Sequence, residues 1–90
     1  MKEEVKIIAA VGEVFSYRKA NPKSTKEEVM RHISKFIGHE KNEKVKIGMV
    51  ASSSKALDIL EREPSLTEKE VMKRIMQNMS NFVSAMNERD

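Results

Sequence analysis

Apolar residues recur every three to four positions in four stretches of this chain, the spacing of α-helices that bury one side. The pattern predicts helices at about residues 3–20, 26–38, 43–62 and 68–88. Four one-sided helices joined by short connections are typical of an all-α fold. We therefore predict an antiparallel four-helix bundle that occupies the chain as a single domain, residues 1–90.

Two of the three connections contain proline and look alike. The segment TKEEVMRHI at residues 25–33 returns 42 residues later as TEKEVMKRI at 67–75, and a proline precedes each copy at the same distance. In each copy a glutamate follows the threonine by three residues, which is the spacing of a capping box at the start of a helix. The repeat predicts two similar helical hairpins, residues 3–38 and 43–88, and indicates an internal duplication.

Two further residues mark helix ends. Gly38 ends the second predicted helix, where glycine commonly adopts the left-handed conformation. Asn42 precedes the third predicted helix, and asparagine is a favoured N-cap. We expect both residues to serve these roles.

Composition narrows the class of protein. Ninety residues form one small domain, and the absence of cysteine excludes disulfides, thiolate zinc sites and cysteine nucleophiles. The longest apolar run, IIAAVG, is far shorter than the roughly 20 residues that cross a bilayer. We therefore expect a cytoplasmic protein without a membrane partner. Its many Glu and Lys residues are also common in thermophile proteins.

No residue pattern indicates an enzyme, a metal or a cofactor. The serines at 52–54 lie in the middle of the third predicted helix and lack the G-x-S-x-G turn of a serine nucleophile. Small residues there favour close helix packing, and a polar ligand pocket at Ser52 and Ser53 is the alternative. Neither His32 nor His39 belongs to a Glu-x-x-His motif, so both are expected at the surface.

Basic residues are concentrated between positions 21 and 47, within a net charge of +3 for the chain. They could contact phosphates and so predict weak, sequence-independent nucleic-acid binding. The simpler interpretation is a solvated helix face, because glutamates alternate with these residues. The basic residues are Lys23, Lys26, Arg31, Lys35, Lys41, Lys44 and Lys46.

The leading functional hypothesis is a small non-enzymatic protein–protein interaction module, whose partner is an unknown protein or a second copy. Four methionines in the fourth predicted helix either fill the core or form an adaptable binding surface. Ile47 lies on the polar side of the third predicted helix, and Tyr17 is a second apolar residue expected to contact a partner. The methionines are Met72, Met76, Met79 and Met86.

Overall fold

The computed structural model describes residues 3–87, and all regular secondary structure in this range is α-helical. The prediction of an all-α fold is confirmed. The helices are α1 (Glu3–Ala20), α2 (Lys26–Ile37), α3 (Glu43–Arg62), α4 (Glu68–Gln77) and α5 (Met79–Asn87). The predicted end of the last helix, at residue 88, lies outside the described residues. In the described range, no helix has both the length and the apolar character needed to cross a membrane.

The prediction of four helices is wrong, because residues 3–87 contain five. The stretch expected to form one helix at 68–88 is interrupted at Asn78. The Asn78 side chain donates from Nδ2 to the carbonyl oxygen of Arg74, at 2.9 Å. Asparagine is a weak helix former because its side chain competes for backbone partners in this way. The helix ends there, and α5 starts with the next residue.

Both predicted capping boxes are confirmed. The Thr25 hydroxyl accepts the Glu28 backbone N–H at 3.1 Å, and the Glu28 carboxylate accepts the Thr25 backbone N–H at 3.0 Å. Thr67 and Glu70 make the same reciprocal pair at the start of α4. The two turns are therefore alike in structure as well as in sequence. That the halves arose by duplication stays a prediction.

The two other predicted helix ends had different outcomes. Asn42 caps α3 as expected, since its side-chain oxygen accepts the backbone N–H groups of Lys44 and Val45. Gly38 does follow α2, but the prediction of a left-handed conformation is wrong: its φ is −57° and its ψ is −21°. The chain leaves α2 through a tight right-handed turn, in which the Glu40 N–H donates to Ile37 O at 2.9 Å. This turn needs no residue with positive φ.

Helix α3 lies at the centre of the arrangement and contacts each of the other four helices. Helix α2 packs against α1 and α3 but contacts neither α4 nor α5 within residues 3–87. Helices α1 and α3 run in the same direction: Ser52 contacts Ile7 near one end of the pair, and Phe15 and Leu60 line a common cleft near the other. Both proline-containing turns therefore lie at the same end of the molecule.

Small residues form the line along which α3 meets its neighbours. Gly48, Ser52, Ser53 and Ala56 of α3 are buried, and Ala10 of α1 is buried with them. The Ser52 hydroxyl lies 3.1 Å from Met49 O and 3.3 Å from Ile7 O, so it links α3 to the backbone of α1. Ser53 Oγ is also buried but has no hydrogen-bond partner in the described part of the chain.

The contrast between the two serines gives a stability prediction. Ser53→Ala should stabilise the fold by about 1 kcal/mol, because it removes a buried hydroxyl without a partner and leaves the volume nearly unchanged. Ser52→Ala should destabilise it by about 1 kcal/mol, because the link to Ile7 O is lost. Urea unfolding followed by circular dichroism measures both. Equal effects of the same sign would contradict these hydrogen-bond assignments.

The capping boxes also predict a dependence of stability on pH. The backbone N–H of Thr25 holds the pKa of the Glu28 carboxyl below its usual range. A carboxyl whose pKa is lower in the folded state contributes stability above its unfolded-state pKa, and this contribution disappears as the pH falls. Folding stability should therefore decrease below about pH 5. Glu28→Gln should flatten this decrease.

Glu27→Gln is the matched control for that measurement. Glu27 also lies in the first turn of α2, but its side chain makes no hydrogen bond or ion pair with the described residues. Urea unfolding between about pH 3 and 7 gives the slope of the unfolding free energy against pH. This slope should change less in Glu27→Gln than in Glu28→Gln. The same change in both variants would mean that helix-end charge, and not the capping box, causes the pH dependence.

Candidate functional site

The outward side of α3 carries an apolar patch, which we call the α3 patch and define as Ile47, Val50 and Ala51. Val50 is 45% exposed, and Ile47 and Ala51 are half-buried. The three residues line a shallow cavity of about 360 Å³, whose other lining residues are Glu43 and Lys46. All five belong to α3, so one helix supplies the whole surface.

Helical spacing places the α3 patch on the side of α3 that its neighbours leave open. Its residues stand at positions i, i+3 and i+4, which share one side of a helix. The buried residues Val45, Met49 and Ser52 belong to the opposite side. Helix α3 therefore has a second, narrower apolar side, and apolar residues at this spacing are what one helix presents when it packs against another.

The charged residues beside the α3 patch compensate each other. Lys46 Nζ lies 3.4 Å from Glu43 Oε1, one turn away on the same helix. The Glu43 side chain is 79% exposed, so this pair is solvated and contributes little to stability. The α3 patch thus has an apolar centre, and the opposite charges of Glu43 and Lys46 cancel at its border.

The methionines of the predicted fourth helix are divided between core and surface. Met86 is buried, Met72 and Met79 are half-buried against the core, and Met76 is 59% exposed. A methyl group built on Gly12 would lie 3.8 Å from Met72 Cε, so α1 and α4 pack closely at this point. The stripe is therefore neither wholly core nor one continuous exposed surface.

Tyr17, the other residue expected to contact a partner, is engaged within the chain. It is half-buried, and its ring stacks on the His32 ring with a centroid separation of 4.4 Å. His32 Nε2 in turn lies 2.7 Å from Glu13 Oε1.

His39 is exposed. Within residues 3–87, no group of three or more His, Asp or Glu side chains could hold a metal ion.

The seven predicted basic residues differ in exposure and in their ion pairs. Lys26 forms an ion pair with Asp58 at 2.8 Å, and this hydrogen bond lowers the pKa of Asp58. Lys44 and Lys46 lie at the start of α3 and are half-buried. The remaining four are exposed and follow the solvent side of α2 and its two connections; we call them the basic ridge. They are Lys23, Arg31, Lys35 and Lys41.

The two serines proposed for a ligand pocket are fully buried. Ser52 uses its hydroxyl on backbone carbonyls, and the larger surface cavities formed by the described residues are lined by other side chains. This geometry favours the packing interpretation.

Sequence reasoning overlooked Val50, which dominates the α3 patch by its exposure. The signal was present, because Val50 follows Ile47 by three residues and so shares its side of the helix. No protein-family model, curated protein or solved structure matches this chain.

Proposed function

We propose that this chain is a small non-enzymatic interaction module that binds an apolar helical surface of a protein through the α3 patch. The observation that carries the proposal is the exposure of Val50 between two further apolar residues on the outer side of the central helix. Burying a Val or Ile side chain fully contributes about 1.5–3 kcal/mol. A partner that covers Ile47 and Val50 would gain part of this free energy.

The residues around the α3 patch also favour a helix as the occupant. Ala51 and Ser54 are small, and the distance between packed helices depends on the size of the side chains at their contact. Both lie within one turn of Val50, on the same side of α3. A partner helix can therefore approach α3 closely and contact Ile47 and Val50 with its own apolar stripe.

A second copy of this chain is the partner that we propose first. Each copy carries the same patch, and a twofold axis through it would bring α3 against α3 in an isologous contact. The contact is small, so the dimer should be weak and form only at high protein concentration. Helix α3 packs against each of the other four described helices. The dimer contact would therefore lie on the helix that intramolecular packing holds most firmly.

Val50→Asp tests the proposal. Sedimentation velocity should show the unmodified chain shifting toward dimer from about 10 μM to about 1 mM, whereas Val50→Asp should stay monomeric. At the lowest concentration the unfolding free energies of the unmodified chain and of Val50→Asp should agree within about 0.5 kcal/mol, because an exposed side chain adds little to the stability of the monomer.

Val5→Asp is the matched control for Val50→Asp. Val5 is 51% exposed on α1 and lies outside the α3 patch, so this variant should dimerise like the unmodified chain. A chain that stays monomeric at every concentration would contradict self-association. Equal loss in both variants would show that general surface hydrophobicity, and not the patch, drives it.

We propose binding to the phosphates of nucleic acid as a second candidate function, supported by the basic ridge. No carboxylate of the described residues lies within ion-pair distance of Lys23, Lys35 or Lys41, whereas Lys26 and Lys46 are paired. Charges without an internal partner remain available to phosphates. Glu27 and Glu28 lie in the first turn of the same helix and limit the strength of this attraction.

Fluorescence anisotropy with labelled mixed-sequence duplex and single-stranded oligonucleotides tests the second candidate. Binding should weaken steeply between low and physiological salt, and Lys35→Glu or Lys41→Glu should reduce the salt slope by about one per lost phosphate contact. Lys69→Glu makes the same change in net charge, but on α4 and outside the basic ridge, and should have a smaller effect on binding. No binding at low salt, or an equal loss with Lys69→Glu, would reject the basic ridge as the site.

A further inference from the structure

A cleft opens at the end of the molecule where the two proline-containing turns meet; we call it the end cleft. Its apolar lining consists of Phe15, Leu60 and Leu66, together with Pro22 and Pro64 from the two turns. Its volume is about 440 Å³, within the range of roughly 300–1,000 Å³ that small-molecule sites occupy. The cleft exists because α1 and α3 are parallel, which places both turns side by side.

Arg18 stands at the junction between the end cleft and a smaller cavity of about 150 Å³. It is half-buried, and no described carboxylate lies within ion-pair distance of its guanidinium. By contrast, Arg74 forms an ion pair with Glu63, and Lys26 forms one with Asp58. A guanidinium without an internal partner, at the wall of a cleft, suits bidentate recognition of a carboxylate.

Ser24 adds a second polar group beside Arg18. Ser24 lines the smaller cavity, and its Oγ is buried and has no hydrogen-bond partner among the described residues. Glu61 also lines the cavity, 4.0 Å from Lys26 Nζ, and its charge disfavours a second negative group on the ligand.

We propose that the end cleft binds a small amphipathic monoanion, with one carboxylate and an alkyl or aromatic body. The carboxylate pairs with the Arg18 guanidinium, and the apolar body covers Phe15, Leu60 and Leu66. Lys19 adds positive charge on the Arg18 side of the cleft, whereas Glu68 lies on the wall that α4 supplies. The charge arrangement therefore orients the ligand with its carboxylate toward α1.

Octanoate and octanol are the probes that test this site, because they share an alkyl chain and differ in charge. The titration uses heteronuclear NMR of the full chain in the Val50→Asp background, which keeps the α3 patch out of the measurement. Octanoate should shift the resonances of both proline turns and bind at least about tenfold more tightly than octanol. Equal affinity for the two probes would overturn the proposal, and so would the absence of binding.

Arg18→Gln should reduce octanoate affinity by about tenfold or more while leaving octanol affinity unchanged. Arg18→Lys should restore part of the loss, because it keeps the charge but not the bidentate geometry. Lys41→Gln removes one positive charge outside the cleft and is the matched control. Undiminished octanoate binding by Arg18→Gln, or an equal loss with Lys41→Gln, would overturn the assignment of the carboxylate to Arg18.

Discussion

The close approach of α1 and α3 is the constraint on which the rest of the structure depends. At Gly48 an added Cβ atom would lie 2.6 Å from Met86 Sδ and 3.1 Å from Ile7 Cδ1, so neighbouring side chains would have to shift. Three helices, α1, α3 and α5, therefore converge on a position that only glycine fills without displacement of its neighbours. The Ser52 hydroxyl then ties the backbone of α1 to α3 one turn further along.

This packing explains both the location and the kind of the proposed sites. Because small residues let α1 and α5 pack closely onto one side of α3, the other side of the helix remains open and carries the α3 patch. Because α1 and α3 are parallel, the turns that follow them lie together and enclose the end cleft. One surface is apolar with a charged border and suits a helix, whereas the other joins an apolar floor to a guanidinium and suits a small anion.

The elements that were predictable from sequence are those encoded by local chemistry. A threonine followed by glutamate three residues later forms its capping box without regard to the rest of the fold, so α2 and α4 begin where predicted. The break at Asn78 depends on a side chain that bonds back to Arg74 O in competition with a regular apolar stripe, and periodicity alone does not reveal such competition. Gly38 ends α2 without the left-handed turn that its identity suggested.

Surface properties were less predictable, because exposure is decided by which helices lie next to each other. The sequence places Ile47 on the polar side of its helix, but the exposure of Val50 depends on which side of α3 the other helices leave uncovered. Arg18 could not be singled out among 17 basic residues, since only the structure reveals which of them lack a carboxylate partner. Whether each methionine is buried or exposed likewise depends on the break between α4 and α5.

We propose that α3 holds the core with one side and binds a partner with the other. Methyl-resolved NMR of the unmodified chain over a dilution series tests it most directly, because each methyl group reports on its own surroundings. Self-association through α3 predicts concentration-dependent shifts at the methyl groups of Ile47 and Val50, with constant resonances at the buried Ile7 and Ile33. Shifts of similar size at all four residues, or none at Ile47 and Val50, would contradict it.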